Sequence, residues 1–523
     1  MSDTISMLPS IFNDVLGPVM RGASSSHCAA ALRIGRIARD LMNQNINSVL
    51  VEYTPDGSLV TTHESQGSDM GLYSGFLGYN AHDAELEHYR DEVREAGLQI
   101  DVQIVDYGAQ HPNTYKLSLR NETESHEMTA ISTGGGMIEI LQIDGADVEL
   151  DGGYWATLLY SDDDLAELAE KVAEVTTDDA VTCHPGPRPF VMIRAQQFID
   201  DAQIDSLAAN ITIVKRLGPV LPVLSGSHVE VPFTTCDEML AYNATRNLPL
   251  WKLALEYESS RARIPESDVI QKMIELAGIM KASILSGLAG TKYDNRILPS
   301  QTPGFVENVN AKKLIEADVL NKIISYVSAI MEVKSSMGVI VAAPTAGSCG
   351  AFPGCTLAVA DFLNASEEQV VHAMLVGGLI GVFIAKQATF AAEVGGCQAE
   401  CGSGAGMAAA ALVTLSNGTN EQALGAASMA LQNSLGMICD PIGNRVEAPC
   451  LGRNVTAASN ALASANMALA SYEHLIPLDQ VIQTMDTVGK SMSHELLCTA
   501  LGGLSVTDAA KSIEKRLTRF KSC

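Results

Sequence analysis

The chain is poor in charge and poorer still in positive charge. Only 18% of its 523 residues are Asp, Glu, Lys or Arg, and Lys plus Arg total 34 against 61 for Asp plus Glu. The net charge of −27 would repel a phosphate backbone or an anionic lipid surface, so neither nucleic acid nor membrane is expected as a partner. No internal repeat, low-complexity tail or coiled-coil heptad is found. The opening MSDTISMLPSIFNDV lacks a basic region followed by an apolar one, so no secretory signal is expected. The longest strongly apolar run, Ala373 to Ala385, is interrupted by Gly377, Gly378 and Gly381 and falls short of the roughly 20 residues that span a bilayer. It reads as a buried helix of a cytoplasmic protein.

What the chain does have is apolar residues, 47% of the total, which excludes a disordered polymer. At this length more than one core is expected, and some apolar surface should be covered by a second copy in a homodimer. Eleven cysteines without an export signal point to a reducing compartment, where thiols remain free for packing or metal ligation.

The first 230 residues alternate helical and extended patterns, whereas from about residue 235 Ala, Met, Leu and Gly take over. Ala30, Ile34, Ile37 and Leu41 form a helical stripe, and Ile100, Val102 and Ile104 alternate as in a half-buried strand. Tyr154 to Tyr160 reads as a strand, with Ser161 and Asp162 able to cap the next helix, and further strands are expected near Phe190 to Ile193 and Ile211 to Val214. In the second half, Val269, Ile270, Met273, Ile274, Ala277, Met280 and Ile284 trace one helical face, and Leu320, Ile323, Ile324, Val327, Ile330 and Met331 another. The small residues Ala408 to Ala411 would let helices approach closely. The expected organisation is multidomain: an α/β domain over 1–149, a small second α/β unit over 150–222, a linker over 223–234 around Ser225-Gly226-Ser227, and a mostly all-α catalytic domain over 235–523.

Three cysteines stand beside helix-breaking residues: Cys397 after Gly395-Gly396, Cys439 before Asp440-Pro441, and Cys450 after Pro449. Glycine or proline there allows thiolates to converge on a metal. Three thiolates could hold three irons of a cubane cluster, leaving a fourth iron open as a Lewis acid toward a substrate oxygen. By spacing alone the signal is weak, since a buried free cysteine is usually an inert small hydrophobe.

The stretch Ala343-Pro344-Thr345-Ala346-Gly347-Ser348-Cys349-Gly350, then GGCQAE at Gly395 to Glu400, then CDPIGNRVEAPC at Cys439 to Cys450, closely resembles the α domain of the iron–sulfur-dependent L-serine dehydratases, over roughly residues 235–510. Gly17-Pro18-Val19-Met20, Ser24-Ser25-Ser26-His27 and Thr133-Gly134-Gly135-Gly136-Met137-Ile138-Glu139-Ile140 look like that family's β domain, fused here into a single chain. The resemblance implies deamination of L-serine to pyruvate and ammonia, a 4Fe–4S cluster on Cys397, Cys439 and Cys450, and no pyridoxal phosphate. It places Cys349 in a substrate-site loop with Thr345, Gly347, Ser348 and Gly350, whose hydroxyls and N–H groups would meet a carboxylate. Cys401 stands where the family usually has a small apolar residue and is open to a packing role. The terminal Cys523 resembles the C-terminal cysteine that caps the open iron in some members.

Ser24, Ser25 and Ser26 precede a helix and would attract the substrate carboxylate, with His27 titrating near neutrality. Where the family usually has Gly-His-Gly-Thr-Asp, this chain reads Ser65-Gln66-Gly67-Ser68-Asp69, and Gln66 cannot take a proton. His27 and then His63 are therefore the base candidates, with a cysteine thiolate also open. Related eliminations on L-threonine or L-cysteine, and a cluster-containing ligand sensor without turnover, are the alternative readings. Lys386 reads as the polar end of a helix rather than a Schiff-base lysine, and Gly402, Gly404 and Gly406 lack dinucleotide-site spacing.

Overall fold

The computed structural model describes residues 8–519, except 23, 65, 177–179 and 227–228. It divides into two compact units, one containing residues 25–229 and the other residues 8–24 and 230–519.

In the first unit a six-stranded sheet runs in the order Gln99–Ile104, Ser48–Tyr53, Thr114–Arg120, Ser125–Gly134, Met137–Ile143, Ala146–Leu150. All neighbours are antiparallel except the first pair, which is parallel. The helix Ala30–Leu41 covers one face with the expected stripe: Ala30, Ile34, Ile37 and Leu41 are fully buried beside Leu117, Leu119, Ala130 and Ile140. Burial of each such branched side chain contributes about 1.5–3 kcal/mol. Gly35 of this helix meets the backbone of Leu72 and Gly75 on Ser68–Leu77, and a Cβ there would separate the two helices. Ile100 and Val102 are half-buried as expected, but Ile104 is exposed because its strand is the sheet edge.

A second, antiparallel sheet has the order Ile211–Leu217, Trp155–Ser161, Phe190–Ala195, Ala180–His184. Its strands match the three expected from sequence, but the helix Leu165–Val175 is capped by Asp164, whose carboxylate accepts from the N–H of Ala166 at 2.8 Å, and not by Ser161 or Asp162. Leu159, Val191 and Ile193 face Leu168 and Val172, while Ala156, Leu158, Tyr160, Phe190 and Met192 join the core of the first sheet. The period of two thus splits this sheet between two cores, and the 150–222 segment shares a core with 1–149.

Among the described residues the second unit is helical apart from one short strand pair and an isolated bridge between Cys439 and Leu497. Val269, Met273, Met280 and Ile284 on Glu266–Ala289 and Ile323, Val327, Ile330 and Met331 on Asp318–Ser335 are buried as the stripes predicted. Ala408 to Ala411 lie fully buried on Ser403–Leu415, which packs against Glu367–Gln387, Asn420–Gln432 and Cys450–Leu469. The apolar run 373–385 belongs to a longer helix, Glu367–Gln387. That helix and the stretch Ala346–Leu363 are long and apolar enough to cross a bilayer, though 72% and 83% of their windows are buried within the protein.

The unit boundary departs from the sequence division near the N-terminus, because residues 8–24 are held by long-range partners in the helical unit. Val19–Arg21 pairs antiparallel with Val339–Val341. The fully buried Glu258 accepts from Ser10 Oγ at 2.5 Å and from the Ile11 N–H at 2.8 Å, and Tyr257 donates to the Pro9 carbonyl at 2.7 Å.

A candidate metal centre of converging cysteines

The ten described cysteines are all free thiols, and five of them, Cys397, Cys401, Cys439, Cys450 and Cys498, interact as one group in the second unit. Cys397 follows the short helix Ala392–Gly395, with Gly396 at φ +71°. A Cβ on Gly396 would come within 2.8 Å of both the Met437 carbonyl oxygen and Met492 Sδ, so only glycine allows the two segments to meet there. Gln398 fixes the approach: its Oε1 accepts from the Gly436 N–H at 2.9 Å and its Nε2 donates to the Met485 carbonyl at 2.8 Å. Cys439 in turn donates its N–H to the Leu496 carbonyl at 2.8 Å and accepts from that of Cys498 at 2.9 Å.

The side-chain ligand atoms of Cys397, Glu400 and Cys439 lie within 4.8 Å of one another. Cys450, the first residue of Cys450–Leu469, is buried and interacts electrostatically with Cys397. Of the three sequence-predicted thiols, Cys397 and Cys439 are brought together with Glu400, and Cys450 is linked to them through its electrostatic interaction with Cys397. Cys401 Sγ accepts from Asn454 Nδ2 at 3.7 Å and interacts with Cys397. Cys523 lies outside the described residues.

Hydrogen bonds from the Cys401 and Cys439 thiols, with help from the Arg453 guanidinium, hold Cys397 well below the usual thiol range despite its burial. The donors move the other way: Cys401 and Cys439 are raised chiefly by giving their protons to that bond, and Cys450 chiefly by burial. Burial first, and the neighbouring Cys397 charge second, push the Glu400 carboxyl up to about 8. The fully buried Lys334 adds a positive charge that acts on both Cys450 and Glu400, with its Nζ donating to the Val446 carbonyl.

The loop carrying Thr345, Gly347, Ser348, Cys349 and Gly350 is joined to this centre. Thr345 Oγ1 donates to Glu400 Oε1 at 2.6 Å, and a Cβ on Gly347 would sit 2.7 Å from the same oxygen. Asn454 accepts from the N–H groups of Gly350 (3.2 Å) and Ala351 (2.9 Å), and donates to the carbonyls of Gly347 (2.8 Å) and Cys450 (2.9 Å). Several donors expected to meet a carboxylate, the Thr345 hydroxyl and the Gly350 N–H among them, are thus engaged within the protein. The Cys349 thiol is buried against Met331 Sδ at 3.8 Å, and burial pushes it up to about 12.

In the first unit, Ser25, Ser26 and His27 lie in a π-helical turn, Ser25–Ala29, that runs straight into Ala30–Leu41, so the helical stretch starts at the serines; Ser24 immediately precedes it. His27 Nε2 is 3.0 Å from Thr62 Oγ1, whose own proton goes to the Ser58 carbonyl at 2.6 Å. Nε2 therefore carries the hydrogen and Nδ1 is the basic nitrogen. Burial lowers His27 to about 4, so the ring is neutral at pH 7. His63 Nδ1 is paired with Asp69 Oδ1 at 2.8 Å. Gln66 lies on the turn between His63 and Asp69, with its N–H donated to the Thr62 carbonyl at 2.8 Å. Gly134, Gly135 and Gly136 all take positive φ in the turn between two strands, where the Gly136 carbonyl accepts from Arg33 at 2.5 Å. A separate cavity of about 920 Å³, lined in part by Lys116, Glu139, His184 and Arg194, contains one residue of the family-like 133–140 motif, Glu139, and none of the residues expected to bind substrate, metal or a proton.

Glu400, Arg453, Asn454 and Cys498 were not singled out by sequence reasoning. Glu400 and the Arg453-Asn454 pair were within reach, because they sit three or four residues from Cys397 and Cys450, one helical turn away. Cys498 is 59 positions from Cys439 and no local pattern signals it.

A buried group of thiols of this kind is a candidate site for a soft metal. The family model described as serine dehydratase alpha chain matches residues 245–505. The chain is 34% identical over 285 residues to the probable L-serine dehydratase, alpha chain, of Bacillus subtilis, covering 54% of this chain and 95% of that one. It is 38% identical over 282 residues to the L-serine dehydratase, alpha chain, of Peptoniphilus asaccharolyticus, with 54% and 97% covered. To the L-serine dehydratase of Streptomyces coelicolor it is 34% identical over 292 residues, covering 54% and 63%. The chain belongs to the serine dehydratase alpha-chain family, and its helical unit carries the match.

Proposed function

We propose that this protein is an L-serine dehydratase, converting L-serine to pyruvate and ammonia, with a 4Fe–4S cluster held by Cys397, Cys439 and Cys450. The observation that carries this reading is the convergence of Cys397 and Cys439 in a buried group with Cys450. The donor set suits the group: soft sulfur ligands, buried, with Arg453 and Lys334 nearby to offset negative charge. Bound there, the cluster would supply a Lewis-acidic iron for a substrate oxygen.

The chain's own residues have the remaining roles. Loss of water from serine needs a base for the α-proton, and His27 through Nδ1 or His63 through Nε2 is assigned that role. Asp69 orients His63 and would stabilise its protonated form. This dyad favours His63 as the group that takes the place of the histidine replaced by Gln66. The aminoacrylate formed by elimination tautomerises to an imine and takes up water, giving pyruvate and ammonia. Ser24, Ser25 and Ser26 at the helix start, and the loop of Thr345, Gly347, Ser348, Cys349 and Gly350, are assigned to substrate binding, the latter held by Glu400 and Asn454. Cys523 is assigned to capping the cluster in the absence of substrate, and a homodimer in the cytoplasm is the expected state.

The test is pyruvate formation by anaerobically iron- and sulfide-reconstituted protein, supplied in turn with L-serine, L-threonine and L-cysteine. The reading predicts pyruvate from L-serine and turnover highest with that substrate. A loaded protein inert toward all three would point instead to a ligand sensor.

A further inference from the structure

Among the described residues, Arg453 is in hydrogen-bond contact with the cysteine group, and it is held from the opposite side by Asp440, itself fixed by a part of the chain far away in sequence. Arg453 Nη1 donates to Cys397 Sγ at 3.3 Å, while Nη2 donates to Asp440 Oδ1 at 2.5 Å. Asp440 is nearly completely buried, and its second oxygen accepts from the Leu504 N–H at 2.7 Å. Ser505 Oγ donates to the Pro441 carbonyl at 2.9 Å, closing the segment 503–505 over Asp440 and Pro441. Gly503 has φ +59°, and a Cβ there would run into the Asp440 carboxylate. The guanidinium therefore has both ends of its planar fork specified, one by sulfur and one by carboxylate.

We propose that Arg453 is a positioning residue of the metal centre, aimed by Asp440 and the 503–505 segment so that its N–H donates to the sulfur of one ligand and raises the reduction potential of a cluster bound there. The proposal rests on the cluster reading above. An N–H donor and a positive charge at a ligand sulfur stabilise the more negative, reduced state, and hydrogen bonds to sulfur are among the factors that set iron–sulfur potentials. Lysine could restore the charge but not the two-ended grip. Because Arg453 is not a ligand, its removal leaves three thiolates to hold the iron. The three atoms nearest to a Cβ added at Gly503 all belong to Asp440.

The experiment is a redox titration followed by electron paramagnetic resonance on anaerobically reconstituted wild type, Arg453→Met, Arg453→Lys and Gly503→Ala, with iron and sulfide measured in each. Arg453→Met should retain its iron and shift the midpoint to lower potential, Arg453→Lys should shift it less, and Gly503→Ala should shift it in the same direction. Iron-replete Arg453→Met with the wild-type midpoint would overturn the proposal. So would loss of iron from both Arg453 variants while circular dichroism shows them folded, because Arg453 would then be holding the site together rather than tuning it. Wild type that takes up no iron and sulfide would instead overturn the cluster reading itself, and this inference with it.

Discussion

The two units treat buried polar groups in opposite ways. In the first, buried charge meets opposite charge: Asp144 accepts from His126 Nδ1 at 2.7 Å, from the Tyr160 hydroxyl at 2.8 Å and from the Glu127 N–H at 2.9 Å, with Arg188 at 3.1 Å. Beside it the fully buried Lys215 pairs with Glu124 at 2.6 Å. These interactions join Ser125–Gly134 to the second sheet. In the second unit the buried sulfurs mainly face one another, with Cys401 and Cys439 around Cys397 and Cys498 behind Cys439. Thiols are weak donors, so such a group adds little stability by itself, whereas the same sulfurs as thiolates bind a soft metal strongly. The contrast separates polar groups that hold a fold from those arranged for a cofactor.

Removing one sulfur should give the largest effect and the sharpest contrast. Cys439→Ala is expected to lower pyruvate formation by at least about 100-fold, a loss of roughly 3 kcal/mol or more of transition-state stabilisation, while the urea unfolding transition of the first unit is unchanged. Steady-state assay of reconstituted protein beside urea unfolding followed by fluorescence provides both readouts.

The reverse experiment is Asp144→Ala, which strands the His126 ring and the Arg188 guanidinium. It should destabilise the first unit by about 3–5 kcal/mol, the usual cost of breaking a buried charged network. Iron content should stay at the wild-type level. A variant with unaltered urea midpoint would remove the distinction drawn between the units.

A third prediction uses pH. His27 is lowered by burial to about 4 in the folded protein against an ordinary 6.5, so between those values the unfolded chain binds a proton that the folded chain does not. First-unit stability should therefore fall as pH drops from 6.5 toward 4, by up to about 3 kcal/mol from this residue. Burial also lowers His111 and His184, so His27→Gln should flatten the pH dependence without abolishing it. An unchanged slope in denaturant titrations across that range would contradict the assignment.

The smallest effect is expected at Gly347→Ala. The added methyl meets Glu400 Oε1 and should cost about 1–3 kcal/mol of second-unit stability, as overpacking does. Thermal unfolding measures it, and a neutral result would mean the Thr345–Glu400 contact yields easily.

Local pattern made much of this legible. The stripes on Ala30–Leu41, Glu266–Ala289 and Asp318–Ser335 could be read because helical period and burial coincide there. The three cysteines are legible through the family motifs that carry them, the glycine or proline beside each being a weak signal alone. What stayed hidden depends on pairings between distant positions: Asp440 under Leu504, Cys498 beside Cys439, Asn454 under the 345–350 loop, and residues 8–24 held by Glu258 and the strand Val339–Val341. The Asp164 cap was missed for a different reason, since Ser161, Asp162, Asp163 and Asp164 are all competent caps and only the chain's exit from its strand selects among them.

The central claim is tested most directly by iron and acid-labile sulfide determination on wild type and on Cys397→Ser, Cys439→Ser and Cys450→Ser, all purified without oxygen. Wild type should contain iron and sulfide in equal amounts, and each serine variant should lose most of both. Full iron in any one of the three variants, or none in the wild type, would contradict it.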